Sequence, residues 1–360
     1  MNKKPKIIMI ISLSLASAIV TYFGLGLIAT YSINENLVNV RGADINELEN
    51  SDYYDIQYTR KDYPLLADRE EIDFKCGKTN LKGYLYTVDN PVGVVIAAHG
   101  VTSYADGNHA QYHNYFLEHN WDVFSFDMTG CGRSSGKGMK TLHESRYCVR
   151  NAVKTVQNMD LTKDLPICLF GHSWGAYGVV SATNDVSGVK AVASFSGYNS
   201  ASEMMYGFAE SHTSKAVILT KPAFETALFM LQGQDAFYEA SSAIKKNKET
   251  NYIVIQGDKD YTVPLEKYSI YDKVVDKNYT NVIPILLEGY GHSSPWKTLT
   301  ANKYMEDVID PAIEQMHRTY GEHIPEDVFN QFLITVDKEK ANGLNYNLLN
   351  KINDIFLESI

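Results

Sequence analysis

Apolar runs of strand length alternate with helix-length segments from about residue 70 to residue 290. Several of these runs are rich in Val and Ile, as strands covered by helices on both faces usually are. The alternation predicts an α/β fold in which a mostly parallel sheet of eight strands, opened by an antiparallel pair, has helices on both faces. The strands are expected at Glu71–Lys75, Leu81–Thr87, Val92–Ala98, Trp121–Phe126, Ile167–Phe170, Ala191–Phe195, Tyr252–Gln256 and Val282–Leu287.

The N-terminal segment has a different pattern, because it is apolar without interruption. No charged residue lies between Ile7 and Asn34, and residues 7–30 would form a helix of roughly 36 Å at about 1.5 Å per residue. A hydrocarbon core of roughly 30 Å can be crossed by such a helix. Lysines precede the segment and acidic residues follow it, which places the N-terminus inside and the rest of the chain outside. A single-pass protein of the cell membrane, with its main domain extracytoplasmic, is predicted.

A cleavable signal peptide is the alternative interpretation of this segment. Ala16-Ser17-Ala18 has the small-residue form of a cleavage site, and cleavage there would give a secreted protein. The chain remains apolar from Ile19 to Ala29, which favours the uncleaved anchor. Under both interpretations, the remainder of the chain is exported from the cytoplasm.

The pattern divides the chain into five parts. A basic flank and the apolar helix are followed by a polar, Tyr-rich connector without periodicity, expected to pack irregularly on the main domain. The stretch between Ser196 and Asn251 is too long for a plain crossover, so an inserted helical lid is expected within the main domain. The boundaries are 1–6 for the flank, 7–30 for the helix, 31–69 for the connector, 70–310 for the domain with its lid at about 200–249, and 311–360 for a helical extension.

Two apolar stripes define the expected lid helices. Phe224, Ala227, Leu228 and Leu231 recur at helical spacing behind Pro222, and a second helix is marked by the segment from Met204 to Phe208. These stripes either pack on the body of the domain or roof an apolar pocket.

The C-terminal extension, residues 311–360, also shows a helix start and an apolar stripe at helical spacing. Pro325 opens a helix, and a later stripe is expected to pack against the main domain rather than to self-associate or contact membrane. That stripe consists of Leu348, Leu349, Ile352, Ile355 and Phe356.

Charge and cysteine content exclude several classes of function. The 360 residues carry a formal net charge of -10, so the positive footprint needed to bind nucleic acid is missing. The cysteines at 76, 131, 148 and 168 show no C-x-x-C spacing, and Cys168 lies in a predicted buried strand, so reduced thiols are expected. His109 and His113 have the i, i+4 spacing of zinc ligands but lack the glutamate of H-E-x-x-H. No metal site is expected there.

Candidate chemistry follows the ends of three predicted strands. Gly171-His172-Ser173-Trp174-Gly175 fits G-x-S-x-G between a strand and a small-residue helix, where a sharp turn would project the Ser173 hydroxyl. A serine becomes nucleophilic when a positioned base takes its proton. His292 lies in a Gly-flanked loop after the last strand, and Asp260 follows the strand before it. Asp260 is favoured over Asp258 as the residue that orients the histidine, and Asp258 would then cap a turn.

The order Ser, Asp, His resembles that of the α/β-hydrolases, in particular the branch similar to monoacylglycerol lipases and serine aminopeptidases. The resemblance extends over residues 70–296 and includes two further motifs, His99-Gly100-Val101-Thr102 and the D-x-x-G-x-G-x-S turn from Asp127 to Ser134. It implies that the backbone N–H groups of Val101 and Trp174 form an oxyanion hole. The Asp127 turn is interpreted as loop-shaping, since its glycines permit a strained connection.

The resemblance implies a serine hydrolase that acts on a small-molecule acyl ester, as an esterase or a monoacylglycerol-type lipase, without a metal or an organic cofactor. An aminopeptidase of the same fold is the first alternative, in which a lid carboxylate of Glu203, Glu210 or Glu225 would meet a substrate ammonium. A membrane-tethered scaffold without activity is the second alternative. The intact set of Ser173, Asp260 and His292 favours the enzyme.

Overall fold

The computed structural model describes residues 4–42, 51–101, 103–107, 109–212 and 220–360. Four predicted features extend outside these residues, at positions 1–3 of the basic flank, 43–50 of the connector, Thr102 of the turn after the third strand and 213–219 of the lid. Within the described residues, the strands are β1 (Glu70–Cys76), β2 (Thr79–Tyr86), β3 (Gly93–Ala98), β4 (Trp121–Asp127), β5 (Ile167–His172), β6 (Val189–Phe195), β7 (Asn251–Gly257) and β8 (Val282–Leu287).

These eight strands form one sheet in the order β1-β2-β4-β3-β5-β6-β7-β8. Strand β2 runs antiparallel to both of its neighbours, and all pairs from β4 to β8 are parallel. The predicted sheet and its antiparallel opening pair are confirmed. Because β5, β7 and β8 are parallel, their carboxyl ends lie at one edge of the sheet, and the three candidate catalytic residues follow those ends.

Helices cover both faces of the sheet. The residues of β3 alternate between two cores, since Val94 and Ile96 belong to one cluster and Val95 and Ala97 to the other. This explains why the strand reads as a continuous apolar run. The helices are α1 (Lys4–Ile33), α2 (Ala110–Glu118), α3 (Glu144–Asn158), α4 (Trp174–Ala182), α5 (Ala201–His212), α6 (Lys221–Gln232), α7 (Ala240–Lys246), α8 (Ile270–Val274), α9 (Leu299–Tyr304), α10 (Asp310–Tyr320), α11 (Glu326–Thr335), α12 (Lys338–Ala341) and α13 (Tyr346–Glu358).

Helix α1 contains the predicted apolar span and extends a few residues beyond it at each end. Within it and the turn that follows, residues Ser12–Asn36 form the one described helix that is long and apolar enough to cross a membrane, with a mean hydropathy of 1.8. Its C-terminal half runs parallel to α6, because Gly26 lies against Ala223 and Gln232 Nε2 donates to Asn34 Oδ1 at 2.7 Å. A Cβ atom at Gly26 would lie 2.6 Å from the Cβ of Ala223, so this close approach requires glycine.

We predict that Gly26→Leu separates α1 from α6, since no leucine side chain fits at that distance. Hydrogen exchange of the α6 amides should become faster, because α6 loses a neighbour that shields it. Gly24→Leu is the matched control, since a Cβ at Gly24 would meet nothing within 4 Å. Equal exchange rates in the two variants would contradict the packing of α1 on α6.

The described part of the segment predicted to form a lid contains helices α5, α6 and α7. Phe224, Ala227 and Leu228 are buried as the stripe predicts, and the ring centroids of Phe224 and Tyr206 lie 5.7 Å apart. The prediction is wrong for Leu231, whose side chain is 42% exposed. The last turn of α6 carries apolar residues at three consecutive positions, 229–231, which is more than one helix face can bury.

The C-terminal extension packs on the main domain through its last helix. In α13, Leu349, Ile352 and Phe356 are buried in the same cluster as residues of β3 and α2, so the predicted stripe faces the sheet. Helix α11 begins directly after Pro325, as the sequence predicts. The connector packs on the extension, because Ile56 is buried with Ile309, Ile313 and Ala341.

Candidate active site

Ser173 occupies the turn between β5 and α4. Its backbone has φ of 55° and ψ of -112°, a strained conformation for a residue with a side chain. The flanking glycines allow the turn, because a Cβ at Gly171 would lie 2.6 Å from the carbonyl oxygen of Gly175. A Cβ at Gly175 would lie 2.7 Å from the carbonyl oxygen of His99. The motif therefore brings the start of α4 against the end of β3.

Three predicted residues meet at this edge of the sheet. His292 Nε2 lies 2.9 Å from Ser173 Oγ, and His292 Nδ1 lies 2.8 Å from Asp260 Oδ2. The two ring nitrogens of one imidazole thus connect a hydroxyl to a carboxylate. This geometry allows the histidine to accept the serine proton while the carboxylate fixes the ring and its tautomer.

Asp260 is held by four hydrogen bonds. Its Oδ1 accepts from the backbone N–H groups of Thr262 and Val263, at 3.0 and 2.8 Å. Its Oδ2 accepts from Gln256 Nε2 at 2.9 Å as well as from His292. Asp258 has a different role, since its Oδ1 accepts from the Gly289 N–H at 2.6 Å and so shapes the loop that leads to His292. The structure therefore brings Asp260, and not Asp258, to the imidazole.

Two other histidines support the site without contacting Ser173 Oγ. His172 Nε2 donates to the carbonyl oxygen of His292 at 2.8 Å, and burial lowers the pKa of His172 to about 3. His99 Nδ1 donates to the Gly100 carbonyl at 2.7 Å, and its Nε2 accepts from the Met128 N–H at 3.0 Å. Burial also lowers the pKa of His99 to about 4. Both rings are neutral and hydrogen-bond to the backbone around the site.

The Asp127 turn joins two loops beside the site. Asp127 accepts hydrogen bonds from the N–H groups of Ala105 and Arg133 and from the Tyr84 hydroxyl, at 2.8, 2.9 and 3.0 Å. Gly132 has a positive φ of 48°, and a Cβ there would collide with the Asp127 carboxylate. Burial raises the pKa of Asp127 to about 6. The aspartate therefore holds the loop after β3 to the turn after β4, the loop-shaping role predicted for it.

The two residues proposed for the oxyanion hole flank the nucleophile. Trp174 is the first residue of α4, where the backbone N–H groups have no partner within the helix. Val101 lines the same cavity as Ser173, and the preceding Gly100 lies so close that its Cβ would be 3.4 Å from Ser173 Cβ. The backbone at residues 100 and 101 thus passes directly beside the serine.

A cavity of about 520 Å³ opens above Ser173 and His292. Part of its wall is apolar, and two of the apolar residues, Met204 and Phe208, come from α5 of the lid. The stripe of α6 does not line the cavity, so the roof predicted for the pocket comes from one lid helix only. The apolar lining residues include Val101, Met139, Leu142, Tyr198, Met204 and Phe208.

The cavity carries one carboxylate among its described lining residues, that of Asp106. Arg69 Nη1 donates to both oxygens of Asp106, and the Tyr86 hydroxyl donates to Oδ1 at 3.0 Å. The three lid glutamates lie elsewhere. Glu210 pairs with Lys267 at 2.6 Å, Glu225 pairs with Lys221 at 3.7 Å, and Glu203 is absent from the lining.

One group of candidate metal ligands lies outside the cavity lining. Cys76, Glu144 and Cys148 are buried, with ligand atoms within 4.8 Å of one another. Lys140 Nζ already donates to Glu144 Oε1 at 2.8 Å and compensates its charge. All four cysteines are free thiols. His109 and His113 are buried with lowered pKa values, and His109 Nδ1 donates to the Tyr104 carbonyl at 3.1 Å.

Acid should destabilise the fold through its buried neutral histidines. Burial lowers the pKa values of His99 and His113 to about 4 and that of His172 to about 3, while an unfolded histidine has a pKa of about 6.5. The unfolded chain therefore binds more protons below pH 6.5, and stability falls as the pH falls. Each group should remove about 2 kcal/mol of unfolding free energy between pH 7 and pH 5.

Urea unfolding at pH 7 and pH 5 measures this loss. His113→Gln should reduce the difference in unfolding free energy between the two pH values by about 2 kcal/mol. His323→Gln is the control, because His323 is exposed and should leave the difference unchanged. An identical pH dependence in both variants would contradict a neutral, buried His113.

Sequence reasoning missed two contributors to the site. Gln256, the penultimate residue of β7, donates to Asp260, and a polar residue at the end of an apolar strand was the available signal. The connector residues between Ser51 and Thr59 line the cavity, although they lie more than 100 positions before Ser173. Nothing in their local pattern points to the site, because only the folded extension brings them there.

Comparisons with known proteins agree with this architecture. The family model described as "Serine aminopeptidase, S33" matches residues 89–227. The esterase Pf2001 of Pyrococcus furiosus has 17% sequence identity and a TM-score of 0.53, over 78% of this chain and 98% of that one. A second crystal structure of the same esterase gives 18% identity and a TM-score of 0.52, over 73% and 96% of the two chains. The search of curated protein sequences finds no match.

These likenesses are too distant in sequence to transfer an activity, but they establish the architecture. The matched family segment contains the Ser173 turn, and the structural match extends over most of the chain. The chain has the α/β-hydrolase fold, as its strand order and the turn around Ser173 predict.

Proposed function

We propose that the protein is a serine hydrolase that cleaves carboxylic esters. The observation that carries the proposal is the hydrogen-bonded series Ser173–His292–Asp260 beneath a cavity with an apolar wall. A serine hydroxyl hydrogen-bonded to an imidazole that a carboxylate orients is the arrangement needed for acyl transfer.

In the proposed reaction, Ser173 Oγ attacks the ester carbonyl carbon while its proton passes to His292 Nε2. The carbonyl oxygen becomes an oxyanion, and the N–H groups of Val101 and Trp174 would stabilise it, each by about 3 kcal/mol. Collapse breaks the bond to the alcohol oxygen, which takes the proton from His292. A water molecule then repeats the sequence on the acyl-enzyme and releases the acid.

The cavity favours an ester over a peptide with a free amino terminus. An aminopeptidase needs a carboxylate to bind the substrate ammonium, and the only carboxylate among the described lining residues is already bound to Arg69 and Tyr86. The lid glutamates offered for this role lie away from the lining. The apolar residues of α5 and their neighbours instead suit an acyl chain.

We further propose that α1 anchors the protein in the cell membrane with the hydrolase domain extracytoplasmic. The apolar span and the lysines before it support this topology. Cleavage after Ala18, which would give a secreted protein, is the alternative, and the mass of the mature chain from membrane and medium fractions distinguishes the two.

Fluorophosphonate labelling and a chain-length series of p-nitrophenyl esters test the hydrolase proposal. The full-length chain in detergent should be labelled and should hydrolyse the esters, and Ser173→Ala should do neither. A labelled protein that cleaves aminoacyl amides but no ester would be an aminopeptidase. A folded protein that is not labelled would overturn the proposal and favour a scaffold.

A further inference from the structure

The cavity above Ser173 has a second, polar wall, and one short stretch of the connector supplies much of it. Ser51, Tyr53, Tyr54, Gln57 and Thr59 all line the cavity and are half-buried. They belong neither to the sheet nor to the loops at its carboxyl edge. This polar wall, residues 51–59, is a separate addition to the site.

The polar wall is fixed from behind by the C-terminal extension. Asn342 Nδ2 donates to the Ile56 carbonyl at 2.7 Å, and Asn342 Oδ1 accepts from the Tyr58 N–H at 3.3 Å. Asn342 is 3% exposed. Ile56, 1% exposed, packs on apolar residues of the extension. The wall is therefore preorganised by residues about 285 positions later in the chain.

Two ionisable contacts add to this attachment. Asp52 Oδ2 lies 2.8 Å from His317 Nε2 in α10. The Tyr53 hydroxyl donates to Asp310, and burial together with the Asp310 charge raises the pKa of Tyr53 to about 12. The Tyr53 hydroxyl therefore remains neutral at physiological pH.

The wall has hydrogen-bonding capacity that no described residue uses. The side chains of Ser51 and Gln57 have no hydrogen-bond partner among the residues that the structure describes, and the same holds for Ser103 nearby. A hydroxyl and an amide each offer both a donor and an acceptor. The described lining contains no Lys or Arg, and its one carboxylate is compensated by Arg69. The wall therefore suits a neutral group rich in hydroxyls.

We propose that residues 51–59 determine specificity by binding a polyhydroxylated alcohol, such as a sugar, on the leaving-group side of the scissile ester. This inference rests on the proposed esterase function and names its substrate class. The apolar wall from α5 and its neighbours takes the acyl group, and Ser51 and Gln57 exchange hydrogen bonds with the sugar hydroxyls. Asn342 is a positioning residue, because it acts on the wall from the side opposite the cavity.

A pair of esters of one acid tests the proposal. We expect the full-length chain in detergent to hydrolyse 6-O-butanoyl glucose with a kcat/KM at least about tenfold above that for methyl butanoate, as two or more neutral hydrogen bonds would give. The double variant Ser51→Ala with Gln57→Leu should lose this preference through a higher KM for the sugar ester, with unchanged kinetics on the methyl ester. Gln57→Asn should retain part of it.

Gln315→Leu is the matched control, since Gln315 is exposed on α10 and does not line the cavity. Asn342→Ala should raise the KM for the sugar ester alone, with urea unfolding showing that the variant is folded. An equal loss on both esters would assign Asn342 a structural role and overturn its positioning of the wall. No preference for the sugar ester in the wild type, or an unchanged preference in the double variant, would overturn the proposal.

A binding measurement separates this inference from the proposed function. Ser173→Ala cannot turn over the ester, so calorimetry on this variant reports the affinity for 6-O-butanoyl glucose alone. We expect binding that is at least about tenfold weaker when Ser51→Ala and Gln57→Leu are added. Binding with this dependence but without hydrolysis in the wild type would refute the esterase and leave the polar wall as a sugar site. Hydrolysis of the methyl ester without sugar binding would refute the polar wall alone.

Discussion

Ser173→Ala should lower kcat/KM for a p-nitrophenyl ester by at least about 10⁴-fold, because the acyl-enzyme cannot form without the hydroxyl. His292→Ala should give a loss of similar size, since the hydroxyl then has no base within hydrogen-bonding distance. The double variant should lose little more than either single variant, because the two residues act as one unit. Steady-state kinetics on the three variants measure these effects.

Substrate binding provides the control for this prediction. Neither variant removes an apolar lining residue, so the affinity for an ester that is not turned over should change little. A loss of activity with a matching loss of affinity would place the effect in binding. Full additivity of the two substitutions would contradict a shared proton-transfer step.

Asp260→Asn should lower kcat by about 10⁴-fold while the fold is retained, because an amide would stabilise the wrong tautomer of His292. The carboxylate now accepts from two backbone N–H groups, from Gln256 and from His292. An asparagine can satisfy the backbone groups with its oxygen, but its NH₂ would then face Gln256 and His292. The neutral imidazole would present Nδ1 as an acceptor and turn its protonated Nε2 towards Ser173.

Asp258→Asn is the matched control for this substitution. Asp258 lies two residues away, is also bound to a backbone N–H group, and has no contact with His292. We expect its kcat to stay within about threefold of the wild type, since only a loop contact is weakened. Similar losses in both variants would mean that the loop as a whole, and not the Asp260 carboxylate, supports the histidine. Measuring kcat across the pH range would then show no difference between them.

The sheet and the three clustered residues were predictable because local patterns determine them. A buried parallel strand needs an unbroken apolar run, and Ile167–Phe170 followed by Gly171 leaves few alternatives to a sharp turn. The choice of Asp260 over Asp258 also depended on local spacing. Each local motif lies within about ten positions, whereas Ser173, Asp260 and His292, separated by 32 to 119 positions, meet only through the order of the strands.

The features that were not predictable depend on contacts between distant segments. Leu231 fits a helical stripe, yet it is exposed because the burial of a helix face depends on what lies beside it. The segment from Ser51 to Thr59 has no periodicity, and its place at the cavity comes from Asn342 and Ile309 at the far end of the chain. Such contacts leave no signal in either segment alone.

Because α1 packs in parallel on α6, proteolytic release from the membrane need not remove the helical surface that supports α6. Cleavage after Ala18 would remove the N-terminal half of α1, but Gly26 and Asn34 lie downstream of that bond. The released chain would keep the helical surface on which Ala223 rests. After release from the membrane, α6 would therefore still pack on the remaining part of α1. Deletion of residues 1–36 would remove that support as well, so a recombinant chain that begins at residue 37 differs from a naturally processed one.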